Sequence, residues 1–108
     1  MNGACHDTEE PLLSQFRGDP EFRELLNMFV SEVAEIRRHF QSTFAAGNID
    51  SLRKHAHQLR GAGGGFGFPI VTELAGSLEL ACEKHNPDLD EIAACLRELD
   101  TCLSRLRA

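Results

Sequence analysis

Long apolar runs are missing from this 108-residue chain. Its uninterrupted apolar stretches extend only a few residues, and Met1 to Glu10 is polar, without the basic start and apolar core of an export signal. Nothing here targets a membrane or the secretory route, and the expected location is cytoplasmic. Close cysteine pairs are lacking too. Cys5, Cys82, Cys95 and Cys102 form no C-x-x-C unit, so a reduced protein with small buried thiols is expected rather than a disulfide framework. Basic density is low: eleven Lys and Arg stand against seventeen Asp and Glu, for a formal net charge of -6. Without a basic face to neutralise phosphates, nucleic acid is not an expected partner.

Strand periodicity is also absent, since no segment alternates apolar and polar residues with period two. What is present is the helical period. Phe22, Leu26, Phe29, Val33, Ile36 and Phe40 recur at spacings of four and three, as the apolar stripe of a helix does. Asp19, Pro20 and Glu21 read as its cap and first turn, so this helix is expected over about Pro20 to Ala46. Gly47 and Asn48 supply the stop, and Asn48 or Asp50 can cap a second helix with the stripe Leu52, Ala56, Leu59, Gly63 and Phe66. A third begins at Pro69 and carries Val71, Leu74, Leu78 and Ala81. After the turn His85 to Asp88, a fourth carries Ile92, Leu96, Leu99, Leu103 and Leu106.

A chain of this length fits one domain, and short connections between helices favour antiparallel neighbours. The expected fold is all-α, an antiparallel up-and-down four-helix bundle over residues 11–108 behind a flexible N-terminus at 1–10. Leu12, Leu13 and Phe16 permit a short extra helix ahead of the bundle. Met1 and the domain-length chain favour a free-standing protein, taken as a monomer.

One feature of composition is unusual. Five of the nine glycines, Gly61, Gly63, Gly64, Gly65 and Gly67, fall within seven positions at the end of the second helix. Each glycine held in a helix costs about 0.8 to 1.0 kcal/mol relative to alanine, and a structural helix end needs only one. Rotation by about 100° per residue puts Gly63 toward the apolar stripe and His57, Arg60, Gly61 and Gly64 on another side, at i, i+3, i+4 and i+7. The imidazole is thus flanked by a cation and by a strip without side chains, where another protein's backbone can approach. An imidazole, with an ordinary pKa of about 6.5, offers a neutral nucleophilic nitrogen near pH 7. The guanidinium of Arg60 can neutralise a phosphoryl group.

Other chemistry is disfavoured by spacing. His55 and His57 lie two apart and point about 200° from each other on a helix, so one metal ion cannot readily take both. His55 falls beside the apolar stripe and is expected to be partly buried. Cys82 and His85 have no partner pair at zinc spacing. The glycines lack the Lys-Ser/Thr ending of a phosphate-binding loop and follow no strand.

The stretch His57, Gln58, Leu59, Arg60, Gly61, running on to Gly67 and then to Leu78 and Glu79, resembles the histidine-containing phosphotransfer (HPt) domain family. That motif has a histidine, an apolar residue two on, a basic residue three on, and glycines four and ten on, and all five positions match. The helix pattern extends the resemblance over about Pro20 to Ala108. It implies a phosphorelay intermediate of a two-component system without an ATP site, cofactor or metal of its own. The partner would be the receiver domain of a response regulator or hybrid histidine kinase, which supplies the magnesium. Carried over residue by residue, His57 is the phosphorylated residue and Arg60 the phosphate-stabilising cation, where lysine is more usual. Glu79 orients the imidazole, where many members have glutamine, and Gly61, Gly64 and Gly65 clear the docking face. The alternative is a helical adaptor that uses the same face without being phosphorylated.

Overall fold

A computed structural model describes residues 10–108. Cys5 and nearly all of the N-terminal stretch expected to be loose lie outside the described residues. Four helices build an all-α bundle: α1, Arg23–Ala45; α2, Ile49–Gly65; α3, Pro69–Glu83; and α4, Leu89–Leu103. Their apolar stripes meet in one core that buries Leu26, Phe29, Val33 and Phe40 of α1 with Leu52, Ala56 and Leu59 of α2. Val71, Ala75 and Leu78 of α3 and Ile92, Leu96 and Leu99 of α4 complete it.

The helix ends follow local chemistry. Gly47 turns the chain after α1 with φ +74°, a conformation that costs other residues energy. The Asn48 side chain accepts a hydrogen bond from the Ser51 amide at 3.1 Å, satisfying one donor at the start of α2. Pro69 opens α3 where no helical amide bond is required. Asp88 caps α4 by accepting from the Asp90 amide at 2.9 Å.

Three expectations change near the chain ends. Asp19, Pro20 and Glu21 form a turn rather than the first turn of α1: the Asp19 carboxylate accepts from the Glu21 amide and its carbonyl from the Phe22 amide, each at 3.0 Å. The helix starts after Phe22, whose ring packs on Phe16 at a centroid distance of 4.8 Å. No short helix forms over Leu12 to Phe16. Instead Leu12–Leu13, β1, pairs in parallel with Leu106–Arg107, β2. Leu106, expected on the last helix, thus lies beyond it but stays buried. A pairing between residues so far apart in sequence supplies hydrogen bonds that no local pattern announces.

The same N-terminal strap closes over the end of α2. Ser14 is fully buried, donates to the Phe66 carbonyl at 2.6 Å and accepts from the Phe16 amide at 2.9 Å. The Gln15 amide donates to the Gly67 carbonyl at 2.9 Å. Among the cysteines, Cys82 and Cys102 are buried and free, and burial pushes the Cys82 thiol up to about 11. Such a thiol packs rather than reacts.

Helix α1 is tied to α4 by a two-point ion pair, Arg37 Nε to Asp100 Oδ1 at 2.8 Å and Arg37 Nη2 to Asp100 Oδ2 at 3.1 Å. Its contact with α2 includes His39 against His55, with ring centroids 4.3 Å apart, and Phe40 against His55. Burial and the neighbouring His39 hold the His55 imidazole below its ordinary value of 6.5. The unfolded chain therefore takes up this proton before the folded one does. The stability that results is complete above about pH 6.5 and is lost as the pH falls from there through the depressed folded value. Melting curves from about pH 7.5 to about pH 5.5 should show a smaller loss of stability in His55→Gln than in the unaltered protein; equal losses would contradict this account.

Candidate functional site

Helices α2 and α3 make the most extensive contact in the bundle, and glycine is the reason they come so close. A Cβ built on Gly63 would stand 2.9 Å from Val71 Cγ1 and 3.0 Å from the Thr72 backbone nitrogen. Gly63 is buried, as its place on the apolar stripe requires. At Gly64 the same construction meets Thr72 Oγ1 at 3.4 Å, whereas Gly61 and Gly65 face open space. The glycine run thus divides: Gly63 admits α3, while Gly61, Gly64 and Gly65 are exposed. Gly67 belongs to neither group, because it takes φ +81° beneath the N-terminal strap.

The close approach sets Glu79 of α3 opposite His57 of α2. Glu79 is a carboxylate within an otherwise apolar buried stripe, its side chain only 8% exposed. Leaving such a group unpaired would be costly, so it needs partners. It has two. Its Oε2 lies 2.9 Å from His57 Nδ1, and its Oε1 lies 3.3 Å from Arg60 Nε. The second is an ion contact without hydrogen-bond alignment, and Oε1 is the one buried side-chain polar atom among the described residues that lacks a hydrogen bond.

The His57 side chain is 59% exposed, so one edge of the ring is held in the protein and the other meets solvent. Arg60 Nη2 also stands 3.3 Å from Nδ1, but a guanidinium can only donate, and Nδ1 cannot accept from it while donating to Glu79. The shorter contact is to the carboxylate. In the neutral ring this contact favours the proton on Nδ1, which leaves the lone pair on Nε2. Among the described residues Nε2 forms no hydrogen bond.

Two residues that sequence reasoning passed over shape the position of Arg60. Thr72 Oγ1 donates to the Arg60 carbonyl at 2.7 Å across the helix contact. A Cβ on Gly76 would meet Arg60 Cδ at 3.4 Å, so the arginine stem lies over that glycine on its way to Glu79. A lone glycine inside the apolar pattern of α3 was the available signal. His55 does not join the site. It faces α1 and lines a groove of about 440 Å³ between α1 and α2, floored by Phe29, Ile36, Leu59 and Phe66. Gln58, the residue after His57, also lines that groove.

Of the exposed histidines among the described residues, His39, His57 and His85, it is His57 that meets a buried carboxylate, at Nδ1, and leaves Nε2 without a hydrogen bond. In comparison with protein families, a sequence model described as the Hpt domain matches residues 24–108. The chain belongs to the Hpt domain family, whose members carry phosphoryl groups on histidine in phosphorelays and interact with receiver domains. No curated protein and no solved structure matches the chain. Among the described residues, no helix is long and apolar enough to cross a membrane.

Proposed function

We propose that this protein accepts a phosphoryl group from a receiver-domain aspartate on Nε2 of His57 and passes it to another receiver. The single observation that carries the proposal is the exposed imidazole held at Nδ1 by the buried carboxylate of Glu79. With the proton at Nδ1, the Nε2 lone pair attacks phosphorus. The N–P bond forms as the P–O bond to the aspartate breaks, and the electron pair leaves with the aspartate carboxylate. The phosphorylated ring becomes cationic, and the Nδ1–H it retains faces Glu79, which stabilises that charge as it develops. Transfer onward runs the same steps in reverse.

Arg60 is placed to offset the charge of the phosphoryl oxygens. In-line positioning, magnesium and most of the catalysis come from the receiver, in keeping with a site of one nucleophile, one cation and one buried acid. Gly61, Gly64 and Gly65 leave the ring's surroundings low enough for the receiver's aspartyl phosphate to reach Nε2. The neighbouring apolar groove between α1 and α2 extends the surface available for docking.

The test is transfer of label from a phosphorylated receiver in the presence of magnesium. The product should be stable in alkali and labile in acid, as a phosphohistidine is. Receiver binding without labelling would support the adaptor alternative instead. A second expectation concerns the bare strip: Gly65→Leu places a side chain in open space, so the fold should persist while receiver affinity falls about tenfold or more, a steric penalty at a packed contact. Unchanged affinity in a binding titration would move the docking face elsewhere.

A further inference from the structure

The two ends of the Glu79 carboxylate are occupied by different residues, and this constrains which cation can stand at position 60. We infer that Arg60 and Glu79 act as one positioning unit in which arginine is required because it serves two anions at once: its Nε holds Glu79 while its terminal nitrogens remain for the phosphoryl group. This deepens the phosphotransfer reading of His57 and rests on it.

The geometry separates the donors. Arg60 Nε stands 3.3 Å from Glu79 Oε1, while Nη2 lies at the edge of the imidazole, 3.3 Å from Nδ1. The stem is guided by Gly76 below Cδ and by the Thr72 hydroxyl on the Arg60 carbonyl. Glu79 Oε1 is buried and has no hydrogen bond, so Arg60 is the partner it faces. An arginine carries five N–H donors in a planar fork, and engaging one edge leaves others for a second anion. A lysine presents a single ammonium. Opposite a buried carboxylate that compact ammonium is drawn toward Glu79 and away from the phosphoryl oxygens, since it has no second edge to present. Opposite a neutral glutamine there is no such competition, because the amide carbonyl still accepts from Nδ1 and needs no counter-charge.

The consequence is a dependence of one substitution on the other. In the unaltered background Arg60→Lys should lower the maximal rate of phosphoryl transfer about tenfold, with the KM for the phosphorylated receiver little changed, within the range seen for coupled charged neighbours. In the Glu79→Gln background the same Arg60→Lys change should alter the rate by no more than about twofold, the level expected of uncoupled sites. Equal factors in the two backgrounds, or no effect in either, would overturn the coupling. Resting-state coupling is read separately by NMR of the Arg60 Nε–H group with no receiver present. Its signal should shift on Glu79→Gln, and an unmoved signal would overturn the tether whatever the transfer assay shows. If the unaltered protein takes no label on His57 although the signal moves, the phosphotransfer reading fails and the Arg60–Glu79 contact stands as a structural pair only.

Discussion

His57→Gln should abolish labelling by a phosphorylated receiver, whereas His55→Gln should leave it intact. The expected loss is complete, because among the described residues only His57 pairs an exposed imidazole with a buried carboxylate at Nδ1. Glutamine can still place a polar atom toward Glu79, but its amide nitrogen has no available lone pair for attack on phosphorus. The fold should survive, since His57 is mostly exposed and contributes little to the core. His55 is the only near competitor in sequence, and it is packed against His39 and Phe40 on the side of α2 that faces α1. Radiolabel transfer to the three proteins, with circular dichroism to verify helix content, distinguishes the two histidines. Label that survives His57→Gln and disappears in His55→Gln would reverse the assignment.

The largest expected effect on stability comes from a glycine outside the exposed strip. Gly67→Ala should lower the unfolding free energy by about 2 to 4 kcal/mol, combining a left-handed backbone strain of roughly 1 kcal/mol or more with overpacking of about 1 to 3 kcal/mol. Gly67 has φ +81°, and a Cβ there would stand 2.5 Å from Ser14 Oγ and 3.0 Å from the Gln15 amide nitrogen. The methyl group therefore pushes against the strap that also binds the Phe66 and Gly67 carbonyls. Gly61→Ala is the matched control. That position is helical and open, so alanine should be neutral or stabilising by up to about 1 kcal/mol. Urea unfolding of both variants decides the matter through their midpoints, provided the slopes stay the same. A Gly67→Ala midpoint equal to that of the unaltered protein would show that the strap yields freely.

These two glycines also show where sequence reasoning stops. On the helical wheel, Gly61 and Gly63 separate by direction alone, and the structure places the first in open space and the second against Val71 and Thr72. Direction is a local property of a helix, so a single sequence can supply it. The role of Gly67 depends on Ser14, a residue far away in the chain, and no period or cap links them. The N-terminal strap is illegible for the same reason: Leu12 and Leu13 fit a short helix locally, but they pair with Leu106 and Arg107.

Sequence by itself determined that four apolar stripes of helical period would form a helical bundle, where the second, third and fourth helices would start, and that His57 and Arg60 would share a face away from the core. These follow from short-range geometry, which repeats along each helix whatever surrounds it. Tertiary structure alone decided that α2 and α3 meet closely enough at Gly63 for the buried Glu79 to touch both His57 and Arg60. That contact spans two helices, and its distances depend on packing rather than on spacing along the chain. It sets a buried carboxylate against Nδ1 of an exposed histidine and leaves Nε2 toward solvent.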